Sequence, residues 1–168
     1  MPRILITPIT DADSRQLAVG VWEAARVATG RTPSPVGTRR VAAEVHARVD
    51  AGDVALLAHY GDRVAGMLFA EPYLDGGVLD PACGHVSMLF VDPALWGCGV
   101  GGALVRALQR GDHGPGWTRL SVWTRGHNRR ALGLCAARGF VDTGDRASLH
   151  EGEVITRLEW RACDSDGP

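Results

Sequence analysis

Residues 85–102 read HVSMLFVDPALWGCGVGG, and they decide the fold. His85 to Val91 is an apolar run with valines and a phenylalanine, the composition of a strand. Asp92-Pro93 breaks it. Gly97, Gly99, Gly101 and Gly102 follow within six positions. Beyond them Leu104, Val105 and Leu108 share one helical face, which predicts a helix over Gly102–Arg110. Glycine supplies positive φ and lets another molecule approach the main chain. The first turn of a helix adds unpaired N–H groups and a partial positive charge. The segment is therefore a seat for a phosphate or diphosphate, or else a tight turn with no ligand. Gly97, Gly99 and Gly102 satisfy G-x-G-x-x-G, yet five residues separate Val91 from Gly97, and the stretch around Val122, Trp123 and Thr124 holds no acid. That spacing disfavours a dinucleotide fold, and the missing G-K-[ST] disfavours a P-loop.

Outward from this centre, Ile4–Ile6 predicts a short strand. Thr10 to Asp13 offers helix caps ahead of Leu17, Val21, Trp22, Ala25 and Val27 at roughly helical spacing. Thr29–Gly37 reads as a loop and Thr38–Val49 as a second helix. Val54–Tyr60 and Arg63–Ala70 predict a hairpin, and Glu71–Gly84, rich in Gly, Pro and Asp, an exposed loop. Arg119–Thr124 predicts a strand, Asn128–Arg138 a helix stopped by Gly139, and Phe140–Thr143 and Glu153–Trp160 two more strands. The order predicts an α/β (mixed α+β) fold: one three-layer domain over residues 1–163, with a central, mostly antiparallel mixed sheet flanked by helices. Asp164–Pro168 reads as a flexible tail.

The bulk numbers narrow the function. The chain has 168 residues, 45% hydrophobic and 22% charged, with a formal net charge of -1. No basic excess calls for nucleic acid or an anionic membrane. All 18 basic residues are arginine, so no lysine nucleophile or Schiff base exists. Cys83, Cys98, Cys135 and Cys163 form no C-x-x-C pair or zinc-finger spacing, and no metal is expected. The N-terminus does not read as a signal peptide, and no apolar run approaches the roughly 18 residues of a membrane span. A cytoplasmic protein with free thiols is the simplest expectation.

Two linked sets of residues carry a resemblance. Val91-Asp92-Pro93 leads into Trp96-Gly97-Cys98-Gly99-Val100-Gly101 and then Gly102-Ala103-Leu104; downstream stand Asn128, Ala131, Leu134, Cys135, Gly139 and Phe140. In this order and separation they resemble the Val-x-Pro, Arg/Gln-x-x-Gly-x-Gly/Ala and Asn-x-x-Ala-x-x-Leu-Tyr-x-x-x-Gly-Phe patterns of the GNAT superfamily of N-acetyltransferases. The resemblance implies acetyl-coenzyme A (acetyl-CoA) as cosubstrate and direct attack by a primary amine of a small molecule or peptide. It places the coenzyme at Trp96 and along the main chain from Gly97 through Cys98, Gly99, Val100, Gly101 and Gly102 to Ala103, a stretch that holds the diphosphate. It places the pantetheine arm along Leu89, Phe90 and Val91, with Leu89 or Phe90 supplying an N–H to the oxyanion. Asn128 borders that arm or caps its helix. Trp96 departs from the family's arginine or glutamine. Cys135 departs from its tyrosine, the usual candidate for protonating the leaving thiolate; a thiol could act there, or simply pack in the core.

His85 and Ser87, two apart, share a strand face, and the imidazole of His85 is the candidate base. Glu71, Asp92 and His150 are weaker candidates by position. Trp22, Tyr73 and Trp123 read as core or as acceptor pocket. The basic run Arg125–Arg130 reads as a solvated loop or a contact to the coenzyme's phosphates. Relatives commonly pair, so a homodimer is compatible. The competing reading is a GNAT-like module that holds an acyl-CoA without turnover.

Overall fold

A computed structural model of the chain describes residues 2–163. The expected flexible tail, Asp164–Pro168, lies outside the described residues. The chain runs β1 (Ile4–Pro8), α1 (Ala12–Ala28), α2 (Pro35–Asp50), β2 (Val54–Tyr60), β3 (Arg63–Asp75), β4 (Val78–Val91), a 3-10 turn (Pro93–Leu95), α3 (Val100–Arg110), β5 (Arg119–Arg125), α4 (Arg129–Ala137), β6 (Val141–Ser148), a second 3-10 turn (His150–Gly152) and β7 (Val154–Arg161). The strands form one sheet in the order β1-β2-β3-β4-β5-β7-β6. Only β4 and β5 run parallel; every other pairing is antiparallel. This is the mixed three-layer architecture expected from the element order.

Local chemistry starts the helices. Asp11 accepts from the Ser14 N–H at 2.8 Å while Ser14 Oγ accepts from the Asp11 N–H at 3.1 Å, a reciprocal cap for α1. α2 begins at Pro35, three residues before the predicted Thr38, because Ser34 caps it and Pro35 occupies a position where no N–H is needed. Two apolar clusters sandwich the sheet. Leu56, Leu68, Val86 and Leu120 face α3 and α4 with Leu104 and Leu108; Leu57, Met67 and Phe69 face α1 and α2 with Val19, Val21 and Val45. Both faces of β2 are covered, so Val54–Ala58 is apolar without alternation.

One expectation fails. Glu71–Gly84 is not a loop: β3 and β4 continue past the sheet as an arm, pairing Leu74 with Leu79 and Asp75 with Val78. Gly76 and Gly77 form its two-residue tip with φ of 55° and 85°, the geometry a tight hairpin turn requires. The prolines and glycines that suggested a loop sit at that tip and at a register shift between Pro72 and Tyr73.

Two irregularities in β4 open the centre of the sheet. The β3–β4 register steps from Ala70↔Val86 to Phe69↔Met88, leaving Ser87 as a bulge. The parallel β4–β5 pairing ends at Val86↔Val122, whereas β4 stays paired to β3 as far as Val91. Beyond Val86 the two central strands part.

Gly84 lies within the parallel pairing, opposite Leu120. A Cβ there would stand 2.2 Å from Cε3 of the buried Trp117. Gly84→Ala should therefore cost about 1–3 kcal/mol of stability, read as a lower urea midpoint. An unchanged midpoint would show that Trp117 is not wedged against the strand.

Candidate active site

The glycine turn leads from β4 into α3. Gly97 and Gly99 have φ of 82° and 84°, a region that disfavours side chains. Gly99 is the N-cap of α3 and offers no side chain to the first turn. The Gly101 and Gly102 amides precede the first intrahelical donor and point from the helix end. Gly101 also sits against α4: a Cβ there would lie 3.2 Å from Leu134 Cδ2. An uncapped end built of glycine suits an anionic group such as the coenzyme's diphosphate. Not every amide in the turn is available. Cys98 N–H donates to the Leu95 carbonyl at 3.2 Å and Ala103 N–H to the Gly99 carbonyl at 3.0 Å. These two amides, expected to meet the coenzyme, are already paired.

The parted strands leave a second feature. Asp92 N–H donates to the Ala65 carbonyl at 2.8 Å. Antiparallel alternation then turns the Phe90 backbone toward its β3 partner Met67, and the Leu89 and Val91 backbones toward the gap between β4 and β5. Phe90 also packs its side chain toward α1. Leu89, not Phe90, holds the N–H directed into the gap. Trp96 Nε1–H donates to the Val91 carbonyl at 3.1 Å.

On the opposite face of the sheet from α3, a cleft of about 480 Å³ lies between the β3–β4 arm and the ends of β5 and β7, beside His85. Glu71, Tyr73, Leu74, His85, Trp123 and Ile155 line it. His85 is half-buried, and its Nδ1 has no partner among the described residues. Burial pushes the imidazole below its ordinary range, the guanidiniums of Arg157 and Arg48 push it further, and the Ser121 main chain opposes them. Two arginine-centred networks flank it. Arg48 Nη1 donates to Glu71 Oε2 and to Ser87 Oγ, both at 2.7 Å, and Nε donates to Glu44 Oε1 at 3.1 Å. Ser87 Oγ–H donates to Glu71 Oε2 at 2.7 Å. Burial raises the Glu71 carboxyl, with Ser87 and Arg48 offsetting part of the shift. Arg157 donates to Ser121 Oγ at 3.0 Å and Glu159 Oε2 at 2.8 Å, and stacks 4.5 Å from the centroid of the Tyr73 ring.

Comparison with known proteins fits this geometry. The model of the Acetyltransferase (GNAT) family matches residues 22–140, most of the chain. The protein belongs to the GNAT acetyltransferase family. No curated protein matches it. Among solved structures, a GNAT-family acetyltransferase of Bacillus cereus superposes with TM-score 0.74 at 15% identity, covering 96% of this chain and 99% of that one. The ribosomal-protein-S18-alanine N-acetyltransferase of Escherichia coli gives TM-score 0.71 at 14% identity, covering 99% and 100%. A Salmonella typhimurium protein solved with its cofactor acetyl-CoA gives TM-score 0.71 at 18% identity, covering 98% and 97%. At these identities the likeness is one of fold. Family membership supports acetyl transfer with acetyl-CoA as cosubstrate.

In this GNAT acetyltransferase the remaining sequence candidates divide. Tyr73, Trp123 and Glu71 line the cleft, whereas Trp22 packs between α1 and α2. Asp92 caps the 3-10 turn through the Ala94 N–H at 2.9 Å and pairs with Arg63. His150 is not among the cleft residues. Asn128 caps α4, accepting from Ala131 N–H at 3.2 Å. Sequence reading missed Arg48 and Arg157, whose partners lie far along the chain. Among the described residues no His/Cys/Asp/Glu group is arranged to hold a metal ion, and no helix is long and apolar enough to cross a membrane.

Cys135 lies in the core cluster with Phe140 and Leu158, and burial pushes its thiol up to about 11. Brief iodoacetamide labelling of the native protein at mildly alkaline pH, mapped by mass spectrometry, should modify exposed Cys163 well ahead of buried Cys135. Equal labelling of the two would remove Cys135 from the core.

Proposed function

We propose that this protein is an N-acetyltransferase that moves the acetyl group of acetyl-CoA to a primary amine of a small molecule or peptide by direct attack, with His85 as the base. One observation carries the reading. The sheet opens after Val86↔Val122, with an uncapped glycine turn beside α3 and a cleft holding His85 on the opposite face. Donor and acceptor sites on opposite faces then meet through the same gap.

The chain's own groups have definite tasks in this scheme. The α3 end and the Leu89 and Val91 edge bind and orient the donor. The Leu89 N–H donates to the carbonyl oxygen as negative charge develops on it. His85, kept neutral by burial and by two nearby guanidiniums, accepts the proton that the attacking nitrogen must lose, directly or through water. The carbon–nitrogen bond forms, the carbon–sulfur bond breaks, and coenzyme A leaves as a thiolate. Water protonates that thiolate in this reading, because the Cys135 thiol is packed in the core. Ser87 is a positioning residue: its only proton is given to Glu71, and it helps hold the bulge against Arg48.

Calorimetric titration with acetyl-CoA, with NADH as control, tests the donor half. Free-thiol release across a panel of amines tests turnover. Saturable binding of acetyl-CoA without thiol release would favour a non-catalytic acyl-CoA module, the reading to which the lost family tyrosine lends weight. In the active enzyme, kcat/KM should fall as pH drops through the lowered imidazole value, since protonation removes the base. His85→Gln should lower kcat/KM about 10²-fold or more and flatten that acid limb. An unchanged limb would exclude His85 as the base.

A further inference from the structure

Trp96 ends the loop before the glycine turn, and Arg130 is the second residue of α4. They lie 34 positions apart in sequence, yet the Arg130 guanidinium carbon stands 3.7 Å from the centroid of the Trp96 ring. That is a close cation–π stack. The indole is fixed from its edge as well, since Nε1–H donates to the Val91 carbonyl at 3.1 Å. Along α4, Arg130 and Leu134 are one turn apart and share a face. Leu134 packs toward Gly101, so this face looks onto the glycine turn. The stack thus joins α4 to the loop that enters the turn, across the open end of the gap.

The charge of Arg130 is not spent. Among the described residues it forms no ion pair or hydrogen bond, whereas Arg125 on the same connection pairs with Glu153 at 2.9 Å. Stacking uses the face of a guanidinium and leaves its N–H donors free at the rim, in a planar fork that matches phosphate oxygens. An oriented, unneutralised guanidinium beside a phosphate seat is built to receive an anion. Arginine or glutamine is usual at position 96 in the family; here the indole instead aligns a cation supplied by α4.

We propose that Trp96 and Arg130 form a clasp across the coenzyme channel, in which the indole holds the Arg130 guanidinium as a ligand to the diphosphate of coenzyme A. The clasp rests on the coenzyme reading of the glycine turn. It makes α4 part of the nucleotide end of the site, separate from its contribution near the pantetheine arm.

Calorimetric titration of the full chain with coenzyme A, and with pantetheine, which lacks the phosphates, tests the clasp. Arg130→Ala should weaken coenzyme A binding about tenfold and leave pantetheine binding unchanged. Trp96→Ala should weaken coenzyme A binding similarly, and the double variant should be no weaker than Arg130→Ala alone, because both remove one unit. Arg130→Lys should restore only part of the loss, since lysine keeps the charge without the planar stack. Arg129→Ala removes the same charge from a neighbouring position that does not share the stacked face, and should bind coenzyme A as the unaltered chain does. Arg130 is exposed, so its replacement should not unfold the protein, which far-UV circular dichroism would verify. Coenzyme A binding by Arg130→Ala within twofold of the unaltered chain would overturn the clasp while leaving the coenzyme reading intact. An equal loss for coenzyme A and pantetheine would overturn it as well. Failure of the unaltered chain to bind coenzyme A would overturn both.

Discussion

The proposed function depends on where the parallel pairing of β4 with β5 stops. Up to Val86↔Val122 the two strands satisfy one another; past that point β4 keeps only its β3 neighbour. The Ser87 bulge sits at the transition, and bulges sharpen strand twist. A regular ladder would seal the sheet and leave the glycine turn and the His85 cleft as unrelated surface features on opposite faces. In the proposed function, the opening is what lets the two meet.

Holding such an opening requires support from both sides, and arginine provides it. Arg48 reaches from α2 to Glu71 on β3 and Ser87 on β4, tying the bulge to a helix. Arg157 on β7 reaches Ser121 on β5 and the buried Glu159. A carboxylate buried to that degree needs a charged partner. The planar, multidentate guanidinium can serve several acceptors in fixed directions, which a lysine ammonium does less well. Burial lowers the His85 imidazole below its ordinary range and these arginines lower it further, so the side chains that tie the sheet together also bear on the electrostatics of the cleft.

Much of the fold was legible because its signals are local. The covered strand Val54–Tyr60, the capped α1 and the strand–turn–helix at 85–110 each announce themselves within a few residues. The arm beyond Glu71 did not, since Pro72, Pro81, Gly76 and Gly77 resemble loop composition; the adjacent glycines were the hairpin signal. The glycine turn was legible as a strand-to-helix turn with a helix behind it, but not which of its amides were already paired. Ser87, Glu71 and Arg48 converge through a bulge and a helix-to-sheet contact that no spacing rule encodes. Trp96 and Arg130 meet only because α4 packs against α3.

The open edge at Leu89 and Val91 has a thermodynamic side. A sheet with an unfinished strand position keeps backbone groups that water must satisfy until another molecule pairs there, while at Val91 the Trp96 indole already bonds the carbonyl. Any extended molecule that pairs there acts as a temporary strand. It binds the folded chain and not the unfolded one, so its free concentration enters the folding equilibrium directly. At about a hundred times the dissociation constant such a ligand adds about 2.7 kcal/mol, a sizeable fraction of what holds a domain of this size folded. The resting protein is in this sense an incomplete sheet, and under the proposed function its stability in a cell becomes partly a property of the pool of molecules able to complete it.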